Sequence, residues 1–336
     1  MSDLVLERTL SKVSRLASAR STMRYDSLGF PIPPDFDLPD TNGDGSPPRR
    51  ADRPPTAGPL KRAFVVIMLL GVAGATVLGP AVLPTVRNAV VRWSLERAIV
   101  SEGRGDVGSA ITEVSRAIDW TGGSDSAVLA QSQLLCWRAM LRIENLDAAG
   151  GLADADTAAA AAPTDVQPQR IRTMALLILG QTDAAMATAQ SVVDLAGEND
   201  PEALNHRAYF RALAGRDLES ALTDINRALA GSGGSSANLL DTRGYILHLL
   251  GRHQEAIDDL TMAIDSATDD RSRLLMLAGH VDHDELAYRL RSADHALAVM
   301  HHHRGLACRE LGLEGQAEQD LAIAQKKGFD PARGIF

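Results

Sequence analysis

The sequence is poor in cysteine, in aromatic residues and in positive charge, and these shortages exclude several classes of protein. Its 336 residues include only two cysteines, Cys136 and Cys308, too few for a disulfide framework or a four-thiolate zinc site. Lysine and arginine total 34 against 43 aspartates and glutamates, giving a net charge of −9. This charge excludes a general nucleic-acid binder, which depends on a uniformly basic surface. Since 45% of the residues are apolar, the chain can still bury one large core or two modest ones.

Catalytic motifs are also missing. No G-x-S-x-G, H-E-x-x-H or P-loop string occurs. Gly103, Gly105 and Gly108 form a G-x-G-x-x-G string, but they follow a predicted helix, whereas a dinucleotide site needs a strand at that place. We therefore expect no catalytic residue, no cofactor and no enzymatic activity.

The N-terminal part of the chain has a composition of its own. Nine of the 15 prolines precede residue 63, and residues 31–60 mix proline, glycine and aspartate with almost no apolar periodicity. Such a segment cannot bury enough apolar surface to offset its ordering entropy. We predict that residues 1–62 are largely disordered. Residues 3–20 have apolar side chains at helical spacing, which fits either a short amphipathic helix or, as we favour, a frayed basic terminus with some helical bias.

A long uncharged run follows. Residues 63–83 contain no charged side chain and one threonine. A helix of that length spans about 31 Å, the hydrocarbon thickness of a bilayer, so a single transmembrane helix is predicted over residues 63–86. Lys61 and Arg62 stand at its N-terminal edge, which favours a cytoplasmic N-terminus and a C-terminal domain on the other side of the membrane.

The rest of the sequence is repetitive. Six hexapeptides share an arginine at the fourth place, a small residue or threonine at the fifth and an apolar residue or tyrosine at the sixth: SLERAI (94–99), LCWRAM (135–140), QRIRTM (169–174), LNHRAY (204–209), LDTRGY (240–245) and HHHRGL (301–306). They are spaced by 41, 34, 35, 36 and 61 residues, and the last spacing is 34 plus an insertion of 27. The underlying period of 34 residues indicates a repeat protein.

A second signature follows each hexapeptide. A small residue recurs with apolar or small residues four and seven places later, which puts the three on one face of a helix where a neighbouring helix can approach closely. The six sets are Ala110, Val114, Ala117; Gly151, Ala155, Ala158; Ala185, Ala189, Val192; Ala221, Ile225, Ala228; Ala256, Leu260, Ala263; and Ala317, Leu321, Ala324. Glycine marks the turn between the two helices in five repeats, and the repeat around Gly151 lacks it.

Paired helices with this spacing resemble the tetratricopeptide repeat (TPR) family. The best match is LLDTRGYILHLLGRHQEAIDDLTMAI, although arginine stands where the family usually has leucine. The resemblance covers about residues 90–331. It implies an all-α fold, an α-solenoid of about six TPR-like helix pairs over residues 88–336 with an insertion around 268–297.

The resemblance also implies a function. It suggests a scaffold whose concave groove, lined by the first helix of each pair, binds a protein or peptide. The predicted transmembrane helix would anchor this scaffold in a membrane, and the negative net charge argues against nucleic-acid binding. Carried onto this sequence, the groove positions are Arg170, Met174, Asn205, Tyr209, Asp241, Tyr245, His248 and His302. Tyr209 and Tyr245 occupy equivalent places, and they serve either as binding anchors or as packing residues between repeats.

Two other interpretations remain open. Six of the nine histidines fall between residues 280 and 303. His280 and His283 stand near Asp282, Asp284 and Glu285, a set that could bind a divalent metal in an accessory or catalytic unit. Three consecutive histidines on one helix point in different directions, however. We expect His301 at a packing position, His302 in the groove and His303 at the solvent. A third interpretation is a regulatory module whose basic N-terminal segment signals across the membrane.

Overall fold

The computed structural model describes residues 79–121, 125–233, 236–278, 280–281 and 283–329. These residues form twelve α-helices, and the part of the chain they cover contains no β-strand. In chain order, the helices are α1 (Gly79–Gly103), α2 (Val107–Trp120), α3 (Asp125–Glu144), α4 (Ala148–Ala161), α5 (Val166–Ile178), α6 (Thr182–Ala196), α7 (Pro201–Leu213), α8 (Leu218–Gly231), α9 (Ala237–Leu249), α10 (His253–Met276), α11 (His283–Glu310) and α12 (Glu314–Lys326).

The helices form six pairs, as predicted. Each odd-numbered helix packs extensively on the even-numbered helix that follows it, and each pair packs on the next. The hexapeptides lie in the first helix of every pair and the small-residue sets in the second. The expectation of TPR-like helix pairs is therefore confirmed for the fold.

Small residues allow the two helices of a pair to pack closely. Ala256, Leu260 and Ala263 have no exposed surface. Opposite them on α9, a Cβ atom at Gly244 would lie 2.6 Å from Cγ of Leu260, which is closer than carbon atoms approach without displacement. The fifth hexapeptide position is small because it faces the second helix of its own pair.

The turns within the pairs explain the recurring glycine. Gly251 has a φ of +77°, in the left-handed region that costs a glycine little. In the second pair, Leu146 adopts the same conformation, with a φ of +64°, and its side chain is 73% exposed. The missing glycine thus leaves the turn intact at a conformational cost.

The hexapeptide arginine joins the two helices of a pair. In five pairs it forms an ion pair with a carboxylate 16 or 17 residues later on the second helix: Arg97 with Glu113, Arg138 with Asp154, Arg207 with Asp224, Arg243 with Asp259 and Arg304 with Asp320. All five carboxylates are buried. We call these contacts the arginine clamps.

The clamps also join consecutive pairs. In four cases the third guanidinium nitrogen, Nη1, donates to a side-chain oxygen on the second helix of the preceding pair. Arg138 donates to Ser115, Arg207 to Gln190, Arg243 to Asn226 and Arg304 to Thr261. In the third pair, Thr188 replaces the carboxylate. There Arg172 Nε lies 2.8 Å from Asp156 Oδ1 of the preceding pair, without the alignment of a hydrogen bond.

The predicted insertion around residues 268–297 lengthens two helices. It forms the second half of α10 and the first half of α11, which have 24 and 28 residues against 13 to 15 in α5 to α9. Arg271 of α10 and Asp294 of α11 join the two helices through hydrogen bonds of 2.8 and 3.0 Å. The insertion is therefore a helical hairpin continuous with the fifth and sixth pairs.

The N-terminal predictions fall mostly outside this part of the chain. The predicted disordered segment 1–62, the short helix 3–20 and residues 63–78 of the predicted transmembrane helix lie outside the described residues. Helix α1 begins at Gly79 and continues through residue 86 without a break. Among the helices that the structure describes, none is long and apolar enough to cross a membrane.

Candidate functional site

The first helices line the inner face of the array. From α3 onward, each first helix packs on the next first helix, whereas consecutive second helices of the described chain make no comparable contact. Because the first helices lie closer together, the face that they form is concave. The eight predicted groove residues all lie on these helices, on α5, α7, α9 and α11.

The predicted residues divide into two groups by burial. Met174, Asn205, Tyr209 and Asp241 are at most 3% exposed. Arg170, Tyr245, His248 and His302 are half-buried. A partner that docks on the structure as it stands can contact only the second group, and the burial of Tyr209 agrees with the packing alternative for that tyrosine.

A row of rings crosses three consecutive inner helices. The ring centroids of Tyr209 on α7 and Tyr245 on α9 lie 6.4 Å apart, and Tyr245 stacks on His303 of α11 at 4.2 Å with an interplanar angle of 17°. On the same helix, His302 stacks on Phe329 at 4.1 Å. The tyrosines therefore pack between repeats, and Tyr245 keeps part of its surface exposed.

The three consecutive histidines have separate partners. Nδ1 of His301 lies 2.8 Å from Oδ1 of Asp320, and Nδ1 of His303 lies 2.9 Å from Oδ1 of Asp241. His303 is 1% exposed, so the expectation that it faces solvent was wrong. The reason is that α11 packs against α9 with His303 directed at the buried Asp241 carboxylate.

These separate partners bear on the metal interpretation. Among the residues that the structure describes, no three histidine, cysteine, aspartate or glutamate side chains are placed to hold one ion. The side chains of Asp282, His283 and Glu285 lie outside the described set. His301 and His303 are engaged with different carboxylates on different helices, α12 and α9, and do not converge on one point.

The inner face disfavours positive charge on two of its histidines, His248 and His302. Burial lowers the pKa of His302 to about 4, with contributions from His303, Arg309 and His248. Burial also lowers the pKa of His248, whose Nδ1 lies 3.2 Å from Nδ1 of His253. The groove residues His248 and His302 are therefore neutral at pH 7, and they offer one ring nitrogen as a donor and the other as an acceptor.

Several buried polar atoms of the inner helices lack a protein partner. Within the described residues, this holds for Asn205 Oδ1, His206 Nε2, Thr242 Oγ1 and His303 Nε2. They lie on α7, α9 and α11, the same helices as the row of rings. Such atoms need water or the polar groups of a bound chain to satisfy them.

The last pair reaches the first pair across the inner face. Arg291 of α11 donates through Nη2 to the carbonyl oxygen of Glu102 at 2.8 Å and through Nη1 to that of Gly103. Ala298 and Val299 of α11 belong to the same buried cluster as Met174 and Tyr209. Helix α11 therefore shares a buried cluster with the predicted groove residues Met174 and Tyr209, and its His303 contacts the buried Asp241.

Sequence reasoning missed both the arginine clamps and this closing contact. The clamps had a sequence signal, because an acidic residue directly precedes the middle residue of the second-helix set in five of six repeats, as Asp259 precedes Leu260. The closing contact had only an indirect signal, the 27-residue insertion ahead of the last hexapeptide.

Comparison with known proteins gives no match to a family model and none to a curated protein. Among solved structures, a thermophilic TPR protein of Thermus thermophilus is similar over 55% of this chain and 96% of its own, with 17% identity and a TM-score of 0.45. A tetratricopeptide repeat protein of Parabacteroides merdae covers 73% of this chain and 95% of its own, with 14% identity and a TM-score of 0.44. MamA of Desulfovibrio magneticus is similar over 58% of this chain and 94% of its own, with 13% identity and a TM-score of 0.38. The TPR-like description of this chain rests on its own repeated helix pairs.

Proposed function

We propose that this protein is a non-catalytic scaffold that binds a protein or peptide partner along its inner helices. The observation that carries the proposal is the placement of four half-buried side chains on three first helices of one concave face: Arg170 on α5, Tyr245 and His248 on α9, and His302 on α11. Tyrosine and arginine are enriched among residues that dominate binding energy, and neutral histidines can hydrogen-bond a peptide backbone.

The chemistry of this face suits a polar chain segment. Tyr245 supplies part of an aromatic surface, while Arg170 supplies a cation and His248 a neutral ring with one donor and one acceptor nitrogen. A peptide offers amide groups and side chains of both kinds in one ligand. The alternative of a catalytic unit with a histidine-rich metal site gains no supporting observation, because His301 and His303 have different partners.

The binding role is tested by capture with matched variants. Tyr245→Ala combined with His248→Ala should remove the captured partner and leave the helical content unchanged. The control is Met262→Ala, which removes a 55% exposed side chain from α10, on the second-helix side. A partner lost from the control variant, or kept by the Tyr245 and His248 variant, would move the binding surface away from the inner helices.

We further propose that the chain is anchored in a membrane by one helix, with the helix pairs on the side opposite the cytoplasmic N-terminus. The support is the sequence, an uncharged run over residues 63–83 with Lys61 and Arg62 at its edge. Alkaline carbonate extraction should leave the full chain in the membrane fraction. Protease protection of the helix pairs in sealed vesicles reports on the orientation, and release into the soluble fraction would refute the anchor.

A further inference from the structure

Consecutive helix pairs meet through a recurring set of residues. On the second helix of a pair, an apolar residue is followed four places later by a side chain with an oxygen atom and seven places later by another apolar residue. We call this arrangement the joining pattern. In four pairs its middle side chain accepts a hydrogen bond from Nη1 of the next clamp arginine. The four sets are Ile111, Ser115, Ile118; Met186, Gln190, Val193; Leu222, Asn226, Leu229; and Ile257, Thr261, Ile264.

The first helix of the next pair receives this pattern at the residue just before its hexapeptide. Val193 shares a small buried cluster with Ala203, and Leu229 lies in the same cluster as Leu239. From the second pair to the sixth, the residue at this place is buried: Leu134, Pro168, Ala203, Leu239 and Met300. Consecutive pairs therefore bury this position against each other.

The outer surface of the last pair does not carry the joining pattern. Glu318, Ala322 and Gln325 of α12 stand at its three places, and all three are exposed. Polar side chains on the outer face of a terminal repeat keep it soluble and prevent it from packing on another repeat. A second copy of the chain therefore cannot extend the array through α12 in the way that its own pairs join.

Helix α1 keeps the receiving surface, although no described pair precedes it. Trp93 stands just before the first hexapeptide and is 42% exposed. Arg97 forms its clamp with Glu113 through Nε, and among the described residues its Nη1 has no hydrogen-bond acceptor. In four other clamps the same nitrogen donates to the preceding pair. The first pair thus offers an aromatic ring and an unused donor where the later pairs contact a second helix.

The charge of this surface favours a partner that brings acceptor groups. Arg97 and Arg116 both pair with Glu113, and their guanidinium carbons lie 4.9 and 5.4 Å from the centroid of the Trp93 ring. Two cations therefore share one buried carboxylate, and their side chains remain 55% and 38% exposed. An oxygen-bearing side chain placed beside the ring can accept from the remaining N–H groups.

We propose that the surface of α1 around Trp93 and Arg97 is a second docking site, separate from the inner face, for an amphipathic helix of a partner protein that carries the joining pattern. The apolar residues of that helix cover the Trp93 ring, and its middle side chain accepts a hydrogen bond from Nη1 of Arg97. The chemistry of the partner follows from the chain itself, because helices with this pattern occupy the equivalent surface at four junctions between pairs.

Two synthetic peptides serve as probes. The first has the sequence of α8, residues 218–231, and carries the joining pattern as Leu222, Asn226 and Leu229. A lactam bridge on its exposed side keeps it helical, since an isolated helix of this length is marginal in water. The control peptide has the same bridge and contains Leu222→Glu, Asn226→Ala and Leu229→Gln, which reproduce the residues of α12 at these places.

Binding is measured on the full-length protein in detergent with ¹⁵N-labelled tryptophan. The α8 peptide should shift the indole N–H signal of Trp93, which the Trp93→Phe variant identifies, and leave the signal of the buried Trp137 in place. The control peptide should bind at least about tenfold more weakly, the change expected for one lost hydrogen bond together with lost apolar contacts. Equal binding of the two peptides, or no shift of the Trp93 signal, would overturn the docking site.

Variants of the chain test the two contacts separately. Trp93→Ala should remove binding and keep the melting temperature, because the side chain is exposed. Arg97→Lys keeps a cation for Glu113 but lacks Nη1, so it should weaken binding about tenfold, and Asn226→Ala in the peptide should then have no further effect. Trp120→Ala, at a 39% exposed tryptophan of α2, is the control and should bind as the unmodified chain does. Unchanged affinity in Arg97→Lys would overturn the role of Nη1.

Other occupants of this surface would give different results. A dimer in sedimentation that Trp93→Ala dissociates would assign the surface to a second copy and overturn the partner helix. An affinity for the α8 peptide that rises at least tenfold on deletion of residues 1–20 would assign it to the chain's own N-terminal segment, with the same consequence. The Tyr245→Ala, His248→Ala variant should bind the peptide normally, and a loss there would place the peptide on the inner face instead.

Discussion

Arg138 and Asp154 form a bidentate ion pair, with Nε 2.8 Å from Oδ2 and Nη2 2.6 Å from Oδ1. The same guanidinium donates through Nη1 to Ser115 Oγ at 3.1 Å. One side chain therefore joins both helices of its own pair to the second helix of the preceding pair. Because the planar guanidinium fixes the direction of each donor, the contact sets the spacing and the angle between consecutive pairs.

Removing the carboxylate of a clamp should destabilise the array strongly. Asp224 accepts hydrogen bonds from both Arg207 and Arg211, and its side chain is 5% exposed. Asp224→Ala leaves two largely buried cations without their partner and should lower the free energy of unfolding by about 3 kcal/mol. Urea denaturation measures this change.

The control for this prediction is an exposed ion pair. Asp183→Ala removes the partner of Arg216, in a pair whose side chains are 88% and 54% exposed. Exposed pairs contribute little, so the change should stay below about 0.5 kcal/mol. Equal losses for the two variants would mean that the clamps contribute no more than surface charges.

The third pair offers a gain-of-stability test. Thr188 occupies the carboxylate position there, and Arg172 has only Asp156 of the preceding pair as an ion-pair partner among the contacts of the described chain. Thr188→Asp should be more stable than the uncharged isostere Thr188→Asn by about 1 kcal/mol, because Arg172 can then form the clamp. In an Arg172→Met background the difference should vanish or change sign, which a double-mutant cycle measures.

Local sequence patterns predicted the helix pairs but not the contact of the last pair with the first pair and the inner face. The positions of Ala256, Leu260 and Ala263 were predictable because helical periodicity places them on one face, and all three are fully buried. The clamps left a local signal in the acidic residue before the middle position, as in Asp154 before Ala155. The burial of Tyr209 had no such signal, since it depends on the distant α11 packing into the same cluster.

Close packing at the fifth hexapeptide position gives another prediction. Gly244→Ala places a methyl group 2.6 Å from Leu260 Cγ and 3.2 Å from the Ala256 carbonyl oxygen, so helix α9 or α10 must shift. The expected loss is about 1–3 kcal/mol, measured as a lower urea midpoint. Gly315→Ala, where no atom lies within 4 Å of the added carbon, should instead stabilise by about 0.5 kcal/mol. Two losses of similar size would contradict the packing explanation.

The turn of the second pair should be improved by a glycine. Leu146 holds a φ of +64° while its side chain is 73% exposed, so Leu146→Gly removes backbone strain and little burial. We expect a gain of about 0.5–1 kcal/mol, less than the strain itself because glycine also makes the unfolded chain more flexible. Leu195→Gly, at a 40% exposed position inside α6, should cost about 1 kcal/mol. If thermal melts show that both variants are less stable, the Leu146 side chain makes a contact that contributes more stability than its backbone strain costs.

As the pH falls, protonation of inner-face histidines should lower the free energy of unfolding before protonation of the clamp carboxylates does. His302 stacks on Phe329, and its pKa in the folded protein is about 4, below the ordinary value of 6.5. The unfolded chain therefore takes up the proton first, so this contribution to stability is fully present above pH 6.5 and is lost as the pH falls from 6.5 towards 4. The clamp carboxylate Asp320 has its pKa lowered by hydrogen bonds from Arg304 and His301 against the opposing effect of burial, so its protonation destabilises the fold only at lower pH.

Urea midpoints between pH 7.5 and 4.5 test this order. His302→Phe keeps a ring on Phe329 and should reduce the fall in midpoint over that range, while leaving the value at pH 7.5 nearly unchanged. The fall should not disappear, because burial also lowers the pKa of His206, His248 and His295. His280→Phe, at an exposed position on the hairpin, is the control and should keep the full fall. A His302→Phe midpoint that falls as steeply as that of the unmodified chain would show that the proton enters elsewhere on the inner helices.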